Sequence, residues 1–139
     1  MSTVQDEVRA AGAALVAAFA AGDVDRYFAC FAPDATFLLH TTDRLLASRE
    51  DYRQEWDRWV RDDGFVVRGC TTTDTVVQDL GACAVLTHAV RTEVTTVGGD
   101  DVLDERQTIV FARQDDGSWL AVHEHLSPAP AAPGADDGA

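Results

Sequence analysis

Apolar positions early in the chain recur at helical spacing. Val4, Val8, Leu15 and Phe19 fall near one stripe, with Asp6, Glu7 and Arg9 elsewhere; the acidic pair suits a helix N-terminus. Gly22 ends this helix, and Asp23 or Asp25 caps a short second one over 24–31, whose apolar face is Val24, Phe28 and Phe31. Pro33-Asp34 stops helicity, and 35–40 reads as a strand. Ser48 followed by Asp51 is a capping signal for a third helix over 49–61, carrying Tyr52, Trp56, Trp59 and Val60.

Beyond Gly64 the pattern changes. Segments 65–80, 82–97, 102–114 and 118–127 are rich in Val and Thr, with turn signals at Leu80-Gly81, Gly98-Gly99-Asp100-Asp101 and Asp115-Asp116-Gly117. This predicts an antiparallel meander, and helices followed by such a sheet make an α+β fold with the helices on one sheet face. Residues 1–127 form one domain, and the Pro/Ala/Gly/Asp-rich tail 128–139 is expected to be disordered.

Alternation along the strands assigns faces. A two-residue Asp116-Gly117 turn pairs Phe111 with Val122, Ile109 with Glu124, and Gln107 with Leu126. Leu120, Val122, Glu124 and Leu126 then share a face with Gln107, Ile109 and Phe111. Trp119, Ala121, His123 and His125 take the other face with Thr108 and Val110. A Gly98-Gly99 turn sets His88 opposite Ile109. One apolar face thus carries two ionisable residues in one row, His88 and Glu124, on strands whose backbones lie about 10 Å apart. Burial raises a carboxylate's pKa and strengthens it as a base, and an imidazole serves as acid or orienter. The pair is either a pocket acid/base couple, or it sits near a sheet edge or in a satisfied core network.

Composition narrows the function classes. The chain has 139 residues, enough for one core, and a net charge of -13 with arginine as its only strongly basic residue. That field repels phosphate backbones and anionic lipid, and the absence of lysine excludes Schiff-base chemistry. Cys30, Cys70 and Cys83 form no CxxC spacing. With no basic n-region ahead of an apolar run and no apolar run near 20 residues, the expected location is cytoplasmic. His123-x-His125 lacks a third metal ligand, so no metal is expected, and the absence of phosphate-binding or dinucleotide motifs argues against nucleotide cofactors. The acidic run Asp100, Asp101, Asp104, Glu105 reads as a solvated hairpin end.

The stretches AAGDVDRYFACFAPDATF and ERQTIVFARQDDGSWLAVHEHLS, with Trp56 on the helix between them, resemble the nuclear transport factor 2-like superfamily in its SnoaL-like branch. Residues 108–130 are especially similar to the association (hub) domain of calcium/calmodulin-dependent kinase, in the Asp-Gly-x-Trp turn and the His-x-His-x-Ser strand. The resemblance implies a cone, a curved sheet around a long helix, open at one end to a pocket. It places the hub domain's pocket arginines on His88, Ile109 and Leu126 here, which argues against binding a small carboxylate in that manner. The isomerase-type tyrosine of the first helix is replaced by Leu15, Val16 and Phe19.

Two readings follow. In the first, this is a cofactor-independent acid/base enzyme of secondary metabolism acting on a small hydrophobic, polyketide-like molecule by isomerisation, cyclisation or dehydration. His88 and Glu124 are catalytic, with Gln107, Ile109, Phe111, Trp56, Tyr27 and Leu126 as substrate contacts. Trp56 and Trp59 line the pocket mouth or serve as ordinary core, and Tyr27 and His40 lie at its rim or in solvent. In the second, it is a non-catalytic ligand-binding or oligomerisation module. Either way a homodimer is expected through the outer sheet face, where Trp119, Ala121, His123, Val110 and Thr108 are too apolar to leave in water.

Overall fold

The computed structural model describes residues 3–130, in the order α1 (Val4–Ala20), α2 (Val24–Ala29), β1 (Phe31–Leu39), α3 (Arg49–Asp63), β2 (Val66–Asp79), β3 (Cys83–Thr96), β4 (Gly99–Arg113) and β5 (Trp119–Pro128). Local chemistry sets the helix ends. Thr3 and Asp6 form a reciprocal capping box at α1, Asp23 caps α2, and the Ser48 hydroxyl accepts from the Asp51 N–H at α3. Gly64 closes α3 in the left-handed conformation, φ 64°, where a side chain would also crowd Val97.

The five strands form one open, curved sheet in the order β1-β5-β4-β3-β2. β2 to β5 make the expected antiparallel meander. β1 adds to the edge of β5 in parallel and begins at Phe31, inside the segment expected to be helical. Pro33 is tolerated because it sits at an edge, where the register with β5 shifts between Phe31 and Thr36. Further shifts interrupt β2 against β3 between Thr73 and Val76, beside Asp74 at φ 59°. Such bulges bend a sheet, and this one curls around α1 and α3.

Two departures from the expected register nearly cancel. The β4–β5 loop holds three residues, with Gly117 at φ 87° and the Gln114 N–H donating to Ser118 O at 2.7 Å. A bulge between Val110 and Phe111 then leaves Val122 as the extra residue on β5. Past the bulge the pairs Ile109↔Glu124 and Gln107↔Leu126 stand as expected; before it Phe111 pairs with Ala121, not Val122. Trp119 and Ala121 therefore belong to the core face, and Trp119 Nε1 donates to Glu7 Oε1 of α1 at 2.9 Å. Their assignment to the outer face is corrected accordingly.

The β3–β4 loop is Val97-Gly98, so His88 pairs with Gln107 and Leu86 with Ile109. The shift moves His88 two residues along β4 and so keeps its face. β5 continues through Pro128, and the Ala129 N–H donates to Asp104 O. Residues 131–139 of the expected tail lie outside the described residues. Among the described residues no helix is long and apolar enough to cross a membrane.

An aromatic cluster joins helices to sheet: Phe37 packs on Tyr52 and Phe31, with ring centroids 4.5 and 5.0 Å away, and Tyr27, Phe28 and Trp56 continue it. Rings of this size dominate core burial, and the cluster fills one side of the cone while leaving the other hollow.

Candidate active site

The hollow has two adjoining parts. The outer, about 290 Å³, is walled by Trp56, Trp59 and Phe65 on one side and Val94, Leu103 and Leu126 on the other. The inner, about 50 Å³, lies between α1 (Leu15, Val16, Phe19) and the sheet, with Tyr27, Tyr52, Cys70, Gln107 and Glu124 on its wall. Phe19, Tyr52, Thr92, Glu105 and Leu126 border both. The outer part takes the bulk of a small molecule, and the inner part brings a few polar atoms to one end of it.

Glu124 is the most unusual of those groups. It is 2 % exposed, and its Oε2 accepts a 2.8 Å hydrogen bond from Gln107 Nε2. Its Oε1 has no hydrogen-bond partner. Burial, opposed by the Gln107 bond and reinforced by Glu105, raises its pKa from 4.5 to about 7. A carboxylic acid half ionised near neutrality, at a cavity wall and with one oxygen unpartnered, is suited to general acid/base work.

Gln107 carries the contact onward, its Oε1 lying 2.5 Å from His88 Nε2. Against the ionised Glu124, which only accepts, the amide nitrogen faces Glu124 and the amide oxygen faces His88, so His88 holds its proton on Nε2. His88 and Glu124 are thus joined through Gln107. His88 does not border the cavity. Its ring lies in a separate crevice with Arg9, Gly12, Ala13 and Val16 of α1 and Thr72 and Thr75 of β2, and burial lowers its pKa.

The remaining expected site residues divide. Tyr27, Gln107 and Leu126 border the inner part and Trp56 the outer, where it also packs in the aromatic cluster. Ile109 and Phe111 are fully buried in the hydrophobic core and border neither part, because α1 and the aromatic cluster cover that end of the sheet.

Two polar groups at the cavity wall were not anticipated as site residues. Tyr52 joins Tyr27 through hydroxyls 3.0 Å apart, and burial pushes both phenols well above the usual range, with Glu124 adding to it. Glu105, expected in a solvated run, is buried at the junction of the two parts, its Oε2 2.5 Å from Nε2 of His40. Alternation was the available signal: an inward Gln107 makes Glu105 inward as well. On the outer face, His123 Nδ1 shares a 2.8 Å hydrogen bond with Thr36 Oγ1.

A family model described as SnoaL-like domain matches residues 8–132. The fold is shared with several solved structures. A candidate calcium/calmodulin dependent protein kinase II association domain from Xanthomonas campestris has TM-score 0.77 and 23 % identity, covering 94 % of this chain and 91 % of that one. An NTF2-like protein of unknown function in nutrient uptake from Rhodospirillum rubrum has TM-score 0.76 and 20 % identity, covering 90 % and 100 %. A ketosteroid isomerase-like protein from Erwinia carotovora atroseptica has TM-score 0.74 and 16 % identity, covering 90 % and 95 %. No curated protein sequence matches the chain.

Proposed function

This chain belongs to the SnoaL-like domain family, and on that premise we propose that it is a cofactor-independent acid/base enzyme that moves a proton on a small hydrophobic metabolite. The observation that carries the reading is Glu124, buried at the cavity wall with Oε1 unpartnered. The ionised carboxylate takes a proton from a carbon next to a carbonyl, and the electron pair moves to the carbonyl oxygen. The Tyr27–Tyr52 pair contains two hydroxyl hydrogens and uses one between the rings, so one remains to donate to that oxygen. Returning the proton to a different carbon completes an isomerisation; loss of a leaving group from the enolate gives a dehydration, and attack on an internal electrophile a cyclisation.

The outer part favours a ring-bearing molecule without negative charge, since Trp56, Trp59 and Phe65 offer π-faces and its charged lining groups, Asp63 and Glu105, are acidic. The test uses 5-nitrobenzisoxazole, whose ring C–H is removed by a base as its N–O bond breaks to release a coloured phenolate. Wild-type protein is expected to cleave it with a rate that rises through a midpoint near pH 7. Replacing Glu124 by Gln should remove that rise with the fold intact; unchanged cleavage would reject the reading. A carbonyl substrate brings in the tyrosines, and the double variant Tyr27→Phe/Tyr52→Phe should then lose roughly tenfold or more in kcat.

The second reading, a ligand-binding or assembly module, accounts for the absence of the isomerase-type tyrosine on α1. It predicts binding of ring compounds in a thermal-shift screen with no Glu124-dependent turnover. Both readings include a homodimer. Without Trp119 and Ala121, the outer face still presents partly exposed Val85, Val110, Leu120 and Val122. Light scattering at neutral pH should give the mass of two chains, and Val110→Arg should give one.

A further inference from the structure

We propose that His88 is a positioning residue for Glu124, acting through Gln107 from outside the cavity; the inference rests on Glu124 being the base. The three side chains lie on neighbouring strands, His88 on β3, Gln107 on β4 and Glu124 on β5, all on the concave face. They form one directional chain: His88 Nε2–H donates to Gln107 Oε1, and Gln107 Nε2–H donates to Glu124 Oε2. Each end of the Gln107 amide has that one partner among the described residues. The His88 bond therefore holds the amide in the orientation that an ionised Glu124 requires.

That orientation has two consequences for the base. The donated N–H favours the ionised carboxylate, opposing the burial that disfavours it. Occupying Oε2 also leaves Oε1 as the oxygen without a partner, the one available to a substrate proton. An amide turned the other way would aim its oxygen at the carboxylate and repel it. The remaining titratable groups around Glu124 do not supply a substitute donor at Oε2. Tyr27 of α2 and Tyr52 of α3 bond each other, and Cys70 of β2 contacts Thr92. Glu105 of β4 is itself acidic, while α1 presents Leu15, Val16 and Phe19, and β1 presents Phe37 at the paired position. Around His88, Arg9 of α1 is the one charged group bordering the crevice among the described residues, and its guanidinium bonds the carbonyl of Thr75 on β2.

A histidine that merely fills the core would affect stability and leave the titration of Glu124 in place. A positioning histidine moves that titration. In His88→Leu, and in His88→Met measured alongside should the first variant fail to fold, the midpoint for 5-nitrobenzisoxazole cleavage is expected to rise by about one pH unit. The rate then falls roughly tenfold at pH 6 and less than twofold at pH 9, the behaviour of a base whose ionised fraction has dropped. His88→Gln restores a side-chain N–H at similar reach and should return the midpoint to its wild-type value. An unmoved midpoint in the Leu and Met variants, or a midpoint that the Gln variant fails to restore, overturns the proposal. The same variants are titrated by carbon NMR of the labelled Glu124 carboxyl, with no substrate present. If wild-type protein fails to cleave the probe, the base reading fails by itself, and the carboxyl midpoints still decide whether His88 positions Glu124.

Discussion

Glu124→Gln is expected to be more stable than the wild-type protein at pH 8 while losing roughly 10²- to 10⁴-fold of its proton-transfer rate, the usual contribution of a positioned acid or base. The stability gain follows from linkage. The folded-state pKa of Glu124 is raised from 4.5 to about 7, so the unfolded chain releases this proton first as pH rises. Between those two values each step up in pH favours the unfolded state, and above pH 7 the loss is complete. A displacement of that size corresponds to about 3 kcal/mol. Glutamine keeps an oxygen to accept from Gln107 and carries no charge, so the cost disappears. Thermal melts from pH 4.5 to 8 should show a wild-type decline that the variant lacks. A variant less stable than wild type at pH 8 would mean that Glu124 is held ionised and satisfied, as a structural group.

Trp119→Ala is expected to destabilise the protein by about 3–5 kcal/mol, the cost of emptying a buried aromatic site. Trp119 is 8 % exposed, faces α1 and donates to Glu7 across the cone, and the guanidinium of Arg113 lies 4.8 Å over its ring. Truncation removes these contacts together. For a domain of this size the melting temperature should fall on the order of 10 °C or more. The same substitution separates core from interface: a core tryptophan lowers the melting point at unchanged oligomeric mass, whereas an interface tryptophan halves the mass of a dimer.

The history of Trp119 marks where the sequence was legible. Caps and turns are local, so Asp23 and Ser48 announce helix starts, and the Val/Thr-rich segments announce the strands. Alternation is local too, and it put Glu124 inward opposite Ile109. A bulge is different, because whether β5 keeps Val122 paired or extrudes it depends on how the sheet curves around α1, a tertiary matter. One extra residue reversed Trp119 and Ala121 while sparing Glu124, since the loop holds one residue more than the two-residue turn assumed. The candidate site divides in the same manner. That Glu124 and Gln107 face inward was readable from strand pattern; the pairing of His40 with Glu105 joins residues 65 apart in sequence, and no local signal carries it. Nor does strand pattern reveal where a cavity stops, which is why Ile109 and Phe111, on the same face as Glu124, turn out to be packing residues.

The proposed chemistry depends on a Glu124 carboxyl that changes charge near neutral pH at the cavity wall. Carbon NMR of protein labelled at the glutamate side-chain carboxyl, with Glu124 assigned by its absence from the Glu124→Gln spectrum, measures it without any substrate. The expected midpoint is near pH 7, at least two units above the ordinary glutamate value. A midpoint between 4 and 5, typical of an exposed glutamate, would contradict it.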